Sequence, residues 1–136
     1  MSSRFSPPGL ARSTDDGATW TIWQLARAQD TFYPYLVARN KGELAATWFS
    51  TADSTLRAHA ALIDVSDNGA PAISATTLVP DSWGLTSRHG NPEERDTGGE
   101  YLPITFLRDG SVAVVSPIQN ERAGRYGFSW WRMARP

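Results

Sequence analysis

STDDGATW, running from Ser13 to Trp20, fits the pattern S-x-D-x-G-x-T-W at each of its fixed positions. The chemistry of those positions is structural. Asp15 is placed to accept hydrogen bonds from the turn's own N–H groups, as in an Asx-turn. Gly17 supplies a left-handed backbone. Ser13 and Thr19 add short-range hydrogen bonds. Trp20 is expected to fold back into the core between the hairpin strands. A turn specified in this way implies a strand on either side of it.

The same grammar continues outward along the chain. Apolar residues seldom fall at helical spacing, and Gly and Pro interrupt the sequence repeatedly. Strand signals recur instead. The segment Trp20–Leu25 alternates. Tyr35–Arg39 and Glu43–Ser50 flank Asn40-Lys41-Gly42. Leu56–Val65 and Ala72–Val79 flank Ser66-Asp67-Asn68-Gly69. Leu102–Leu107 and Ser111–Ser116 flank Arg108-Asp109-Gly110, and Arg125–Ala134 is a last strand rich in aromatics. Each turn carries a Gly where a hairpin needs positive φ.

The chain repeats itself. YPYLVARNKGELAATWFS from Tyr33 lies over YLPITFLRDGSVAVVSPI from Tyr101, an offset of 68 that superposes Gly42 on Gly110 and Arg57 on Arg125. A second match, at offset 52, puts Asp15 and Gly17 on Asp67 and Gly69. There, Val65 and Ala72 stand where the Ser and Trp would be. Successive four-stranded antiparallel units of roughly 50 to 70 residues read as propeller blades. The expected fold is therefore all-β, a partial β-propeller of about two and a half four-stranded antiparallel blades. Residues 1–26 end one blade, 32–79 form a complete blade, and 101–134 give three strands of a last one. Closed propellers have about 4 to 8 blades, so the chain does not close a ring alone. The outer strand missing from the last blade is expected from the N-terminal hairpin or from a neighbouring chain, and self-association through open edges is expected.

On STDDGATW, YPYLVARNKGELAATWFS and GGEYLPITFLRDGSVAVVSPIQNERAGRYGFSWWR, most of the chain beyond residue 10 resembles the sialidase-like BNR/Asp-box propellers, and in particular their C-terminal portion. The family includes exo-α-sialidases, which cleave terminal sialic acid, and Asp-box proteins without catalytic activity. The resemblance implies a glycoside hydrolase, or the C-terminal part of one, acting on a terminal acidic sugar. The alternative is a non-catalytic Asp-box module that binds carbohydrate or protein.

Composition trims the other classes. The 136 residues carry a net charge of −1, which argues against a nucleic-acid or polybasic membrane surface. There are no cysteines, so disulfides, thiolate zinc sites and a Cys nucleophile are excluded. No apolar run approaches the length of a membrane span, and MSSRFSPPGLARS lacks the apolar centre of a signal peptide. The chain reads as soluble. No phosphate-cradling glycine loop, zinc pattern or Ser/His/Asp order stands out, so neither metal nor cofactor is expected.

Propeller sites gather at the loops opposite the Asp-box turns, here Arg27–Phe32, Thr51–Thr55, Asp81–Glu100 and Gln119–Gly124. The loop of residues 81–100 is long and polar, which favours function over mere connection. Sialidase-like chemistry needs arginines to hold the substrate carboxylate, a tyrosine nucleophile made reactive by a carboxylate, and an acid/base. Arg57 and Arg125, at matching places in successive blades, are the carboxylate-binding candidates, with Arg88 and His89 in the long loop beside them. Tyr101 and Glu100 are the catalytic candidates. Adjacent strand residues point to opposite faces, so both line one wall only if a bulge intervenes. Against these stand plainer readings: solvated arginines, and a Tyr101 that fills the sheet interior as Tyr33 would. His59, mid-strand among apolar neighbours, reads as an interior or edge residue with its hydrogen bonds satisfied. No residue stands out as the general acid.

Overall fold

The computed structural model describes residues 8–26, 30–40, 42–52, 55–65, 69–78, 102–120 and 125–134. They form three antiparallel sheets and no helix. The first sheet pairs β1 (Gly9–Arg12) with β2 (Thr21–Gln24). The second is a meander of β3 (Asp30–Ala38), β4 (Glu43–Ala52), β5 (Thr55–Asp64) and β6 (Ala72–Thr77), paired in chain order. The third pairs β7 (Ile104–Phe106), β8 (Val112–Asn120) and β9 (Arg125–Met133), also in order.

Three of the expected glycine turns take the positive φ they call for, and Gly69 does not. Gly17, Gly42 and Gly110 have φ of 90°, 85° and 86°. The STDDGATW turn closes as its chemistry requires. Asp15 Oδ1 accepts from the Thr19 N–H at 2.9 Å and Oδ2 from the Thr19 hydroxyl at 2.6 Å. Ser13 Oγ donates to Asp15 Oδ1 and accepts from the Gly17 N–H, both at 2.8 Å. These bonds hold the Asp15 carboxyl down at about pKa 2, with the Thr19 hydroxyl as the largest cause. Trp20 departs from expectation. It does not enter the core. It lies over its own turn, with Nε1 donating to Gly17 O at 3.0 Å, and is 60% exposed. The reason is strand parity: Trp23, three residues on from Trp20 and so on the opposite face, pairs with Leu10 on the packed side and leaves Trp20 with Ile22 on the other.

The sheets stack face to face with the second in the middle. On one side Ala46, Trp48, Ala61 and Ile63 pack against Leu10 of the first sheet and against Leu25 and Ala26, which follow β2. On the other, Ala45, Phe49, Ala58, Ala60 and Leu62 pack against Leu102, Ile104, Val112 and Val114 of the third. β4 is therefore buried from Ala45 to Ser50 without interruption. Thr47 Oγ1 ties the second and third sheets by donating to Leu102 O at 2.7 Å. β7 lies against β3 and β4. At the turns, Arg39 reaches across so that Nη2 donates to Arg108 O at 3.4 Å.

The internal repeat is visible in the backbone. Leu36 pairs with Ala46, and 68 residues on, Ile104 pairs with Val114. The third strands diverge. Ser50 pairs with Arg57, whereas Ile118 pairs with Gly127 and Arg125 with Asn120. The β8–β9 connection is thus two residues longer, and Arg125 matches Thr55 rather than Arg57 in register. The N-terminal hairpin does not supply an outer strand to β9: among the described residues β1 pairs with β2 and β9 with β8.

Two substitutions test this packing. Thr47→Val keeps the volume and removes the donor to a buried carbonyl, so urea denaturation should show a loss of about 1–3 kcal/mol. Gly110→Ala places a side chain at positive φ against the Arg39 guanidinium. It should cost about 1–2 kcal/mol in the same measurement.

Candidate functional site

β4 and β5 are joined at the end of the second sheet opposite the β3–β4 and β5–β6 turns. That end carries the side chains the sequence singles out. Across it runs a row of polar residues set by register: Thr31 on β3, Ser50 on β4 and Arg57 on β5. The next row inward holds Trp48, His59 and Thr77. Residues two apart on a strand share a face, so Ser50, Trp48, Arg57 and His59 share the side of the sheet that also meets the first hairpin.

His59 is the centre of this cluster. Its ring stacks on Trp48 with centroids 5.4 Å apart and planes 14° from parallel, within the offset-stacked range. Nε2 is 2.6 Å from Ser50 Oγ, and Nδ1 is 3.3 Å from Thr77 Oγ1. A neutral ring has one donor and one acceptor, and hydroxyls answer either tautomer. Burial, with the Arg57 charge added, pushes the His59 pKa down to about 4. The expected interior role of His59, with satisfied hydrogen bonds, is what the geometry presents. Arg57 itself is half-buried on β5, with its Nε shielded from solvent.

Beside this row β3 carries a β-bulge. Phe32 pairs with Phe49 and Tyr35 with Thr47, so Tyr33 and Pro34 together stand opposite Trp48. Tyr33 takes a φ of 51°, outside the usual range for an aromatic residue, and is 39% exposed. It does not fill the sheet interior. Sequence reasoning missed this bulge, although Pro34, which has no N–H to give a ladder, is the signal that could have found it.

Of the residues proposed from the sequence, Arg57 lies in the row just described. Arg125 opens β9 opposite Asn120, one pleat nearer the connecting loop than the position matching Arg57. Arg88, His89, Glu100 and Tyr101 lie outside the described residues, as do most of the loops expected to form the site face. No group of three His, Cys, Asp or Glu suited to a metal occurs among the described residues. No described helix is long and apolar enough to cross a membrane.

A second polar cluster sits at the other end of the stack. Asp109 Oδ1 accepts from the Ser111 N–H at 3.0 Å and its hydroxyl at 2.6 Å. Arg132 donates from Nε to Ser111 Oγ at 3.0 Å and pairs with the Asp109 carboxylate. The Ser111 hydrogen bonds lead the causes that hold the Asp109 pKa below its ordinary value. Each polar group here answers another, so the cluster closes the β7–β8 turn and leaves no set of groups aimed at a ligand. Comparison of the chain with family models, curated proteins and solved structures found no match.

The buried imidazole predicts a pH dependence with a definite sign. Unfolded His59 titrates near about 6.5, and folded His59 near about 4. Between these values unfolding takes up a proton, so this contribution is whole above the upper value and falls as pH drops toward the lower. Urea midpoints measured through that window should decline in the wild-type chain. They should decline less in His59→Gln, which keeps polar partners for Ser50 and Thr77 without titrating.

Proposed function

We propose that the chain is part of a sialidase-like Asp-box β-propeller, two and a half blades of it, acting on a terminal acidic sugar as a glycoside hydrolase or as the C-terminal part of one. The observation that carries the reading is the repeat in three dimensions. A complete Asp-box hairpin, a four-stranded meander and a three-stranded meander stack in chain order. The Arg39–Arg108 contact brings the turns of the second and third sheets together at one end, and Arg57 lies toward the other. Arg57 is the group for the substrate carboxylate, because a half-buried guanidinium is pre-oriented for a charge-assisted bidentate contact. In this proposal Tyr101 and Glu100 carry the catalysis, as a tyrosine nucleophile and its carboxylate. Arg125, Arg88 and His89 complete the substrate side of this proposal.

A second reading is a non-catalytic Asp-box module that binds carbohydrate or protein. It is favoured by the two-residue register difference, which sets Arg57 and Arg125 at different depths where an arginine clamp would use matching ones.

Hydrolysis of a fluorogenic sialoside and calorimetry with sialic acid separate the two. The hydrolase reading expects turnover that Tyr101→Phe abolishes with binding retained. It expects Arg57→Ala to weaken binding by roughly ten- to a hundredfold, the loss of a charge-assisted hydrogen bond. Binding without turnover in the wild-type chain selects the module, and absence of both removes the acidic-sugar reading.

A further inference from the structure

The two ends of the stack leave apolar surface open, and both open faces correspond to faces that the chain covers elsewhere. At one end is the outer side of the first hairpin. Its Ile22 is 71% exposed and pairs with Ala11. By register, β1 and β2 match the β5–β6 pair: Arg12 opposite Thr21 corresponds to Asp64 opposite Ala72. Ala11 then corresponds to Ile63 and Ile22 to Ile73. Those two isoleucines pack in the core between the first and second sheets. The hairpin's open face is thus the counterpart of the face by which the second sheet meets its predecessor.

At the other end is the outer side of the third sheet. Val115 pairs with Trp130, and they are 37% and 64% exposed. In register they match Thr47 and Ala60, which pair across β4 and β5. Both are fully buried where the second sheet meets the third. The open face of the third sheet is thus the counterpart of the face by which the second sheet meets its successor. A successor-type face and a predecessor-type face are complementary halves of one repeated contact, which the chain already makes twice.

We infer that a second copy of this chain occupies this surface, head to tail: Ala11 and Ile22 of one copy against Val115 and Trp130 of the next. The occupant follows from continuity with the two internal interfaces, each of which joins a successor-type face to a predecessor-type face. The contact is heterologous, so it closes into a ring where the rotation permits and otherwise runs on as an open array. Arg132, two residues along β9 from Trp130 and on the same face, pairs with Asp109 and marks the polar rim of the apolar patch. Nothing in this inference depends on the sugar-binding reading.

Light scattering coupled to size-exclusion chromatography across a dilution series tests it on the full chain. The wild type should sediment and scatter as a dimer or larger. Ile22→Asp and Trp130→Glu, both at exposed positions, should each shift the population to monomer. Mixed in equal amounts, they should form a dimer, because each variant keeps the one face that the other has lost. Circular dichroism checks that both fold. If either does not, Ala11→Arg and Val115→Arg replace them. A monomeric wild type, an assembly indifferent to these variants, or a mixture that stays monomeric would each overturn the head-to-tail pairing.

Discussion

The burial of β4 on both faces is the constraint on which the rest of the architecture depends. From Ala45 to Ser50 each side chain meets one of two layers, with Trp48 and Phe49 on opposite sides. Sheets packed face to face sit about 10 Å apart, so a strand that carries two large rings needs small partners beside them. β4 and β5 supply these as Ala45, Ala46, Ala58, Ala60 and Ala61, all buried. The same double burial dictates the polar chemistry. A hydroxyl in the middle of this strand is removed from water and needs a protein partner. Thr47 finds it in the Leu102 carbonyl and Ser50 in the His59 ring. One bond ties the sheets together, and the other fixes the imidazole beside Arg57.

Much of this was legible in the sequence, for local reasons. Glycines at Gly17, Gly42 and Gly110 announce turns because the backbone there must pass through positive φ, a property of single residues. The order of strands between those turns followed from alternation. What escaped depends on relations between strands. Trp20 was expected in the core because large aromatic residues usually are, yet the parity of β2 gives the packed side to Trp23. β3 begins at Asp30, before the alternation of Tyr35–Arg39 declares itself, because the bulge at Tyr33 breaks the period of two. β8 runs through Pro117 to Asn120, beyond the expected end at Ser116. Its proline is accommodated because β7 pairs only as far as Val114.

The candidate site was legible in smaller part, and the reason is topological. Arg57 was singled out by repetition, and it does lie toward the end of the sheet where chemistry was expected. Its surroundings were not foreseen. The stack of His59 on Trp48 and the bond from His59 to Ser50 join residues nine and eleven positions apart through strand pairing. No spacing rule along one strand finds them. A neutral, half-buried imidazole beside a guanidinium also means that, of this pair, Arg57 and not His59 carries the positive charge near neutral pH.

The places where the repeat is imperfect say how such a stack tolerates change. The β5–β6 turn is one residue shorter than the Ser13–Trp20 turn, and the β8–β9 connection is two residues longer than its β4–β5 counterpart. A one-residue slip within a strand would exchange its two faces, and the difference is instead taken up in a turn, so Ile73 still meets the core. A two-residue change preserves the faces and moves each position along by one pleat, about 7 Å. The hydrophobic stack does not register that change, because Val114 still meets Trp131 as Ala46 meets Ala61. The site end does register it, since Arg125 is carried one pleat toward the loop relative to Arg57. Packing therefore constrains parity, and function would constrain length.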